Sequence, residues 1–296
     1  MMVLRIAVSG GKGGAGKSMV STSLAITLAK QRKGKVLLVD ADVECPNDHL
    51  IIDAQLKKSS EVFQLIPKWD LSKCTKCGLC AQACKKDAII FVPGKNPAFV
   101  KNMCIGCGAC INACPSGAIS SSKKKIGIIS IGKNHGIHLI SGELVLGELA
   151  SGEIVSDLRS KADEHFSKLG GEVMVIDTPA GIGCPVIASL SGTDYIVAVT
   201  EPTPSALHDL KRVVFLAEHF RIKCGIVINK HDLDAGFCRE IHSYADSKKI
   251  KIIGKIPYDK DFVSAMVKMR PIITMEGEYA NLFESIVENL KKEVRL

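Results

Sequence analysis

The sequence has no run approaching the roughly eighteen consecutive apolar residues that a membrane-spanning helix requires. Its opening, MMVLRIAVSGGKGG, has neither the long apolar stretch nor the small-residue cleavage site of a signal peptide. These two absences point to a cytoplasmic protein whose first residues form a strand. Aromatic residues are few, at 5%, but the hydrophobic share of 46% is ordinary for a globular chain. At 296 residues the chain can bury a full α/β core and still hold a second small unit. Cysteine is not scarce: twelve are present, and in a reducing compartment they read as thiolate ligands rather than disulfide partners.

The first forty residues read strand, loop, helix, strand. Leu4 to Val8 is a short apolar run ended by Ser9-Gly10-Gly11. A helical pattern follows from Lys17 to about Gln31, with Met19, Leu24, Leu28 and Ala29 as its apolar positions and Gly34 as its stop. Val36-Leu37-Leu38-Val39 then forms an all-apolar strand ending at Asp40, as in parallel sheets covered on both faces. From Pro67 to Ser122 the pattern breaks. That stretch is cysteine-rich, punctuated by Gly and Pro, and could not hold a core without a staple such as a metal cluster. Alternation resumes from Ile126, with strands expected at 126–131, 137–140, 173–176, 195–199, 225–228 and 252–256. Helices are expected near 153–168, 205–220, 235–247 and 259–268. A last amphipathic helix, about 277 to 292, sets Leu282, Phe283, Ile286, Val287 and Leu290 on one face and should dock on its own domain. The expected organisation is one discontinuous α/β domain, 1–66 and 123–296, with a second unit, 67–122, spliced between its early strands.

Residues Gly11 to Ser18, GKGGAGKS, satisfy G-x-x-x-x-G-K-[ST] between a strand and a helix. Gly11, Gly13, Gly14, Ala15 and Gly16 let backbone N–H groups curl around phosphate oxygens. Lys17 neutralises β/γ charge, Ser18 coordinates Mg²⁺, and the helix continuing through Met19 adds its N-terminal dipole. Lys12 is a second lysine inside the loop, giving K-G-G-x-G-K-S. In this the sequence resembles the MinD/ParA/Mrp superfamily of deviant Walker A P-loop ATPases, which includes the nitrogenase iron protein and is related to cobyrinic acid a,c-diamide synthase-type nucleotide-binding domains. The resemblance implies an α/β P-loop NTPase fold with a mostly parallel sheet and helices on both faces, a homodimer sandwiching nucleotide, and slow ATP hydrolysis. It also implies that Lys12 reaches the partner's nucleotide; a lysine contacting phosphate within its own chain is the alternative. Lys12, Lys17 and Asp42 are then the catalytic residues.

Asp40-Ala41-Asp42 resembles the family's switch I, with Asp42 orienting the attacking water. Val173 to Asp177, followed by Thr178-Pro179-Ala180-Gly181, resembles the Walker B strand and switch II, so Ser18, Asp42 and Asp177 would serve Mg²⁺. Asn229-Lys230 looks like the family's adenine-contacting position, and Ile256-Pro257-Tyr258-Asp259 like the later loop that closes over the base. Both are also ordinary turn chemistry.

The cysteine-rich stretch repeats itself. Cys74-x2-Cys77-x2-Cys80-x3-Cys84 recurs thirty residues later as Cys104-x2-Cys107-x2-Cys110-x3-Cys114-Pro115. This resembles the bacterial two-cluster ferredoxin, and the resemblance implies an inserted ferredoxin-like α+β domain with two [4Fe–4S] clusters. By the family's crossover, Cys74, Cys77, Cys80 and Cys114 hold one cluster and Cys104, Cys107, Cys110 and Cys84 the other. Gly78, Gly106 and Gly108 suit close wrapping. Zinc is the alternative, but zinc sites pair two C-x2-C knuckles across a longer gap. Lys85 stands where the first run often has Pro, and with Lys86 it could raise a cluster's potential.

The formal net charge of +8 must be read with those clusters. Each carries four thiolates against a core of about +2, so two remove roughly four positive charges. Lys123, Lys124 and Lys125 are expected in a solvated turn, and nucleic-acid binding is not expected. Of the remaining cysteines, Cys224 and Cys238 read as core and helix residues. They form no C-x2-C pair of the kind that Mrp-type carriers use to bridge a cluster between subunits. Cys184 lies seven residues after Asp177, where the nitrogenase iron protein has a cluster ligand, and Cys45 follows Asp42. They are either thiolates near a dimer interface or two plain small side chains. Three functions are consistent with the whole: ATP-gated electron transfer to a redox partner, iron–sulfur or metallocofactor assembly for a client protein, and a redox-sensing positioning or regulatory switch.

Overall fold

Strands with no polar position must be covered on both faces, and the chain builds its sheet accordingly. The computed structural model describes residues 3–11, 13–32 and 35–294. β1 (Leu4–Ser9) leads into α1 (Lys17–Arg32), β2 (Val36–Asp40) and the one-turn α2 (Asp48–Ile51). β3 (Lys57–Trp69) runs out to the cysteine-rich segment, which holds α3 (Leu79–Gln82), the two-residue strands β4 (Ile89–Ile90) and β5 (Ala98–Phe99), and α4 (Ala109–Asn112). β6 (Ile119–Asn134) returns, followed by β7 (Ile137–Leu144), α5 (Ser151–Lys168), β8 (Val173–Asp177) and α6 (Cys184–Leu190). Then come β9 (Tyr195–Thr200), α7 (Pro204–Phe220), β10 (Lys223–Asn229), α8 (Ala235–Ser247), β11 (Lys251–Ile256), α9 (Lys260–Val267) and α10 (Tyr279–Glu293).

The sheet runs β11-β10-β9-β1-β8-β2-β7-β6-β3. Neighbours from β11 to β7 are parallel, while β6 and β3 join antiparallel at one edge. Successive residues of each central strand serve opposite faces. Leu38 and Val175 pack beneath α1 and α10 with Leu24, Leu28 and Phe283. Leu37, Val39 and Ile176 pack beneath α5 with Leu158 and Phe166, and Ile196 meets Leu210 and Val214 of α7. Phe283 is fully buried, so Phe283→Ala would cost about 3–5 kcal/mol. Local chemistry sets the helix ends: Thr203 caps α7 by accepting from the Ala206 N–H at 3.3 Å, and Asp234 caps α8 by accepting from the Phe237 N–H at 2.8 Å. Among the described residues, no helix is long and apolar enough to cross a membrane.

Two features differ from the sequence reading. β3 and β6 form one long antiparallel ribbon, with Ile66 opposite Ser122 and Pro67 opposite Ser121. The junctions expected at 66/67 and 122/123 therefore fall inside paired strands. Lys123 to Lys125 lie in β6, not in a solvated turn. Lys124 is only 7% exposed and pairs with Glu148 at 2.6 Å. The ribbon alternates its faces, so the middle lysine of three points inward and needs a buried partner. Gly34, the expected helix stop, lies outside the described residues.

Candidate functional site

The phosphate-binding loop leaves the carboxyl end of β1, whose neighbours are β8 and β9. In an open parallel sheet such a strand end is where ligands bind. Gly14 and Gly16 take left-handed φ values of 83° and 93°. At Gly14 a side chain would meet nothing; at Gly16 a Cβ would lie 2.4 Å from Asn229 Nδ2, which no residue but glycine allows. Gly11 is packed equally hard against Asp209 of α7. Lys17 and Ser18 open α1, and the Gly16 carbonyl accepts from the Val20 N–H at 3.0 Å. Lys17 is buried, and the Ser18 hydroxyl donates to Asp177 Oδ2 at 2.6 Å. Lys12 lies outside the described residues.

Beside Ser18 three buried carboxylates converge. Asp40 and Asp177 end neighbouring strands in register, and Asp48 arrives from the first turn of α2. Their oxygens lie within 4.8 Å of one another. Asp48 is fully buried with neither oxygen hydrogen-bonded, and Asp177 Oδ1 is likewise unpartnered. Asp40 accepts from the Asp42 and Asp48 N–H groups at 3.3 and 3.2 Å. Burial first, then the Asp177 charge, holds the Asp40 and Asp48 carboxyls well above the usual range. Burial likewise pushes Asp177 up to about 6, against the lowering effect of Ser18 and Lys17. Three carboxylates this close cannot all ionise without a cation, and an all-oxygen donor set with orphaned atoms fits Mg²⁺. Asp42, expected in this role, is half-buried outside the trio, where burial raises its carboxyl and the Lys17 charge lowers it. Asp48 was not read from the sequence; it follows Asp40 by eight residues, and only the loop's return brings it back.

The eight clustered cysteines, all free, divide into two pockets. Cys74, Cys77, Cys80 and Cys114 line one, with Trp69 and Ser116. Cys84, Cys104, Cys107 and Cys110 line the other, with Ile89, Phe99 and Lys86. The two halves match: Gly78 and Gly108 precede α3 and α4 in the same left-handed conformation. The Ala88 and Ala118 N–H groups donate to Cys84 and Cys114 Sγ, each at 3.3 Å. Gly106 N–H points at Cys104 Sγ at 3.4 Å. Among the described residues no three cysteine sulfurs approach within 4.8 Å of one another. A tetrahedral zinc with Zn–S of about 2.3 Å needs sulfurs roughly 3.8 Å apart. Burial raises the Cys80 and Cys110 thiols, so each must shed a proton on ligation.

Residues 6–272 match the CobQ/CobB/MinD/ParA nucleotide binding domain. The chain belongs to this family. An uncharacterized protein of Methanocaldococcus jannaschii is 33% identical over 98% of both chains. An iron-sulfur cluster carrier protein of Methanococcus maripaludis is 26% identical over 98% of this chain and 86% of its own. The septum site-determining protein MinD of Pyrococcus horikoshii, solved with Mg-ADP, has a TM-score of 0.62 at 16% identity. That alignment covers 99% of this chain and 97% of the other, a likeness of fold.

Within this MinD/ParA-type domain, Asn229 ends β10 beneath the phosphate loop. Its Nδ2 donates to the Ala15 carbonyl at 2.9 Å and its Oδ1 accepts from the Lys230 N–H at 3.0 Å. The amide thus braces the loop with one N–H and one lone pair, leaving its second N–H and second lone pair for a ligand. Lys230 pairs with Glu201 at 3.0 Å, and Pro257 follows β11 in a loop tied to the first by the His231 N–H donating to the Ile256 carbonyl. Cys45 and Cys184 are both exposed. Cys184 begins α6 and lines a cleft of about 1040 Å³ between α5, α6 and the Cys104 loop; Cys45 lies outside that cleft. Cys224 and Cys238 pack against the core under α7, where burial pushes the Cys224 thiol up to about 12.

Proposed function

We propose that the chain is an ATP-dependent iron–sulfur protein, an ATPase that couples nucleotide state to electron transfer through two [4Fe–4S] clusters in an inserted ferredoxin-like unit. The observation that carries this reading is the partition of eight free cysteines into two fourfold pockets beside a P-loop in one chain. Cys74, Cys77, Cys80 and Cys114 would hold one cluster and Cys84, Cys104, Cys107 and Cys110 the other. A bound cluster supplies a centre that takes up or releases one electron. The N–H groups of Ala88, Gly106 and Ala118 stabilise negative charge on the sulfurs they face, and the exposed Lys85 and Lys86 favour the reduced form nearby.

At the other end, Gly11, Lys12, Gly13, Gly14, Ala15, Gly16, Lys17, Ser18 and Met19 would bind the nucleotide, with Asn229, which also braces the loop, Lys230 and Pro257 near the base. Mg²⁺ would be served by Ser18, Asp42 and Asp177, and the buried Asp40 and Asp48 beside Asp177 are chemically suited to join them. Lys17 neutralises the β/γ charge, Asp42 orients the water that attacks the γ-phosphate in line, and Lys12 acts from the partner in a homodimer. The test is EPR of the reduced, anaerobically reconstituted protein with and without ATP. An iron-free chain, or cluster signals indifferent to bound ATP, sinks the reading.

The relative named as a cluster carrier favours a second reading, in which the clusters are cargo or reductant for a client. Transfer of iron and sulfide to an apo-protein, with loss from this chain, would select it. Reversible reduction with iron retained selects the first.

A further inference from the structure

A continuous set of contacts joins switch II to one of the two cysteine quartets. Asp177 opens the segment 178–183, hinged at Gly181 with φ 92°, that leads directly into α6. α5 grips both ends of α6. At one end a Cβ on Gly152 would lie 3.1 Å from Cys184 Cβ. At the other, the buried Arg159 donates to the Ser189 carbonyl and, at 3.1 Å, to the Ser191 carbonyl. Next to Gly152, Glu153 Oε2 accepts from Gln64 Nε2 at 2.7 Å. Gln64, in β3, is only 3% exposed. It abuts the turn that carries Cys104 and Cys107, because a Cβ on Gly106 would lie 2.9 Å from Gln64 Cγ and 3.0 Å from the Leu65 carbonyl. A second strut runs alongside, with Lys124 paired to Glu148 just before α5 and donating to Asn102 at 3.4 Å just before Cys104.

Among the described residues the first quartet shows no such link: the Cys74, Cys77, Cys80 and Cys114 pocket is lined by residues of its own segment and of the adjoining ends of β3 and β6. The open cleft between Ile187 of α6 and Ile105 of the insert leaves α6 room to move. Charge arriving at a phosphate loop rearranges switch segments. Here any such displacement of α6 must pass through α5, whose first turn bears on the Cys104 turn.

We propose that Gln64 and Glu153 are positioning residues that make the Cys84/Cys104/Cys107/Cys110 centre, and not the Cys74/Cys77/Cys80/Cys114 centre, the one that responds to nucleotide. This rests on the functional reading above. The test is an anaerobic redox titration of the full reconstituted chain, followed by EPR with and without Mg²⁺ and a non-hydrolysable ATP analogue. The two signals are assigned beforehand with Cys77→Ser and Cys107→Ser. In the wild type, nucleotide changes the reduced-to-oxidised ratio of the Cys107-assigned signal at fixed potential by about fivefold or more, and leaves the other unmoved. Gln64→Leu and Glu153→Leu keep iron content and nucleotide affinity but reduce that change to less than about a third, while Glu153→Gln, which retains an acceptor oxygen, preserves it. A response in the Cys77-assigned signal, or an undiminished response in both leucine variants, overturns the inference alone. A wild type without iron or without nucleotide affinity overturns the functional reading and takes the inference with it.

Discussion

The sheet domain and the cysteine-rich segment solve the same problem with different means. The sheet buries large aliphatic and aromatic side chains on both faces, from Leu24 and Leu38 to Phe166 and Phe283. The segment's own core is small: Cys80, Ile89, Cys110 and Ile119 are its buried members, with Trp69, Phe99, Cys84 and Cys114 packed around them. Ala81 and Ile111 complete the cluster, and four of its ten residues are cysteines. A unit of this size cannot bury enough apolar surface to offset its chain entropy, so on the proposed reading ligation supplies the balance. On that reading one region is stable by packing and the other only with its clusters bound.

Chelating the iron should break that comparison most visibly. The segment between about residues 70 and 118 becomes open to proteases while the sheet keeps its far-UV CD and cooperative melt. Equal resistance with and without iron would show that packing alone suffices. In the opposite direction, Lys17→Ala should lower ATPase activity by about 10²–10³-fold and leave iron content untouched. A parallel loss of iron would mean that the two regions do not fold independently.

The ribbon between the regions gives a middle-sized effect. Glu148→Ala strands the 7%-exposed Lys124 and should destabilise the protein by about 3–5 kcal/mol in urea unfolding, whereas replacing both with apolar residues should cost much less. If the single change costs under about 1 kcal/mol, the pair belongs with the surface ion pairs.

The smallest effect concerns pH. Asp177 is raised to about 6, with Asp40 and Asp48 also raised, burial being the main cause. Raised carboxyls favour the protonated folded state, so the Asp177 contribution is complete below the unfolded value of 3.8 and is lost as pH rises through about 6, and those of Asp40 and Asp48 fade in the same direction. A cation relieves that loss by displacing protons. Added Mg²⁺ should therefore raise the melting temperature more at pH 7.5 than at pH 5.5, and an equal rise at both would remove Mg²⁺ from the trio.

Much of the architecture was legible because its signals are local. The all-apolar strands announce a doubly covered sheet, and the helices expected near 153–168, 205–220 and 235–247 appear at Ser151–Lys168, Pro204–Phe220 and Ala235–Ser247. What was not legible depends on side chains far apart in sequence. Asp48 has no motif of its own, and Lys124 sits in a polar run that reads as a turn until β3 pairs with it. Gln64 and Glu153 are ordinary polar residues 89 positions apart.

Sequence alone determined the covalent spacing: a glycine-rich loop whose backbone can encircle phosphate, and two runs of cysteines too regular for chance. Those properties follow from residue type and separation along the chain. Only the tertiary structure decided which carboxylates share one buried pocket, which side of the cysteine-rich segment rests on α5, and that a buried glutamine ties that side to Glu153. Contacts of that kind exist only once the sheet has been assembled, because burial gives a polar pair its energy and distant strands bring its members together.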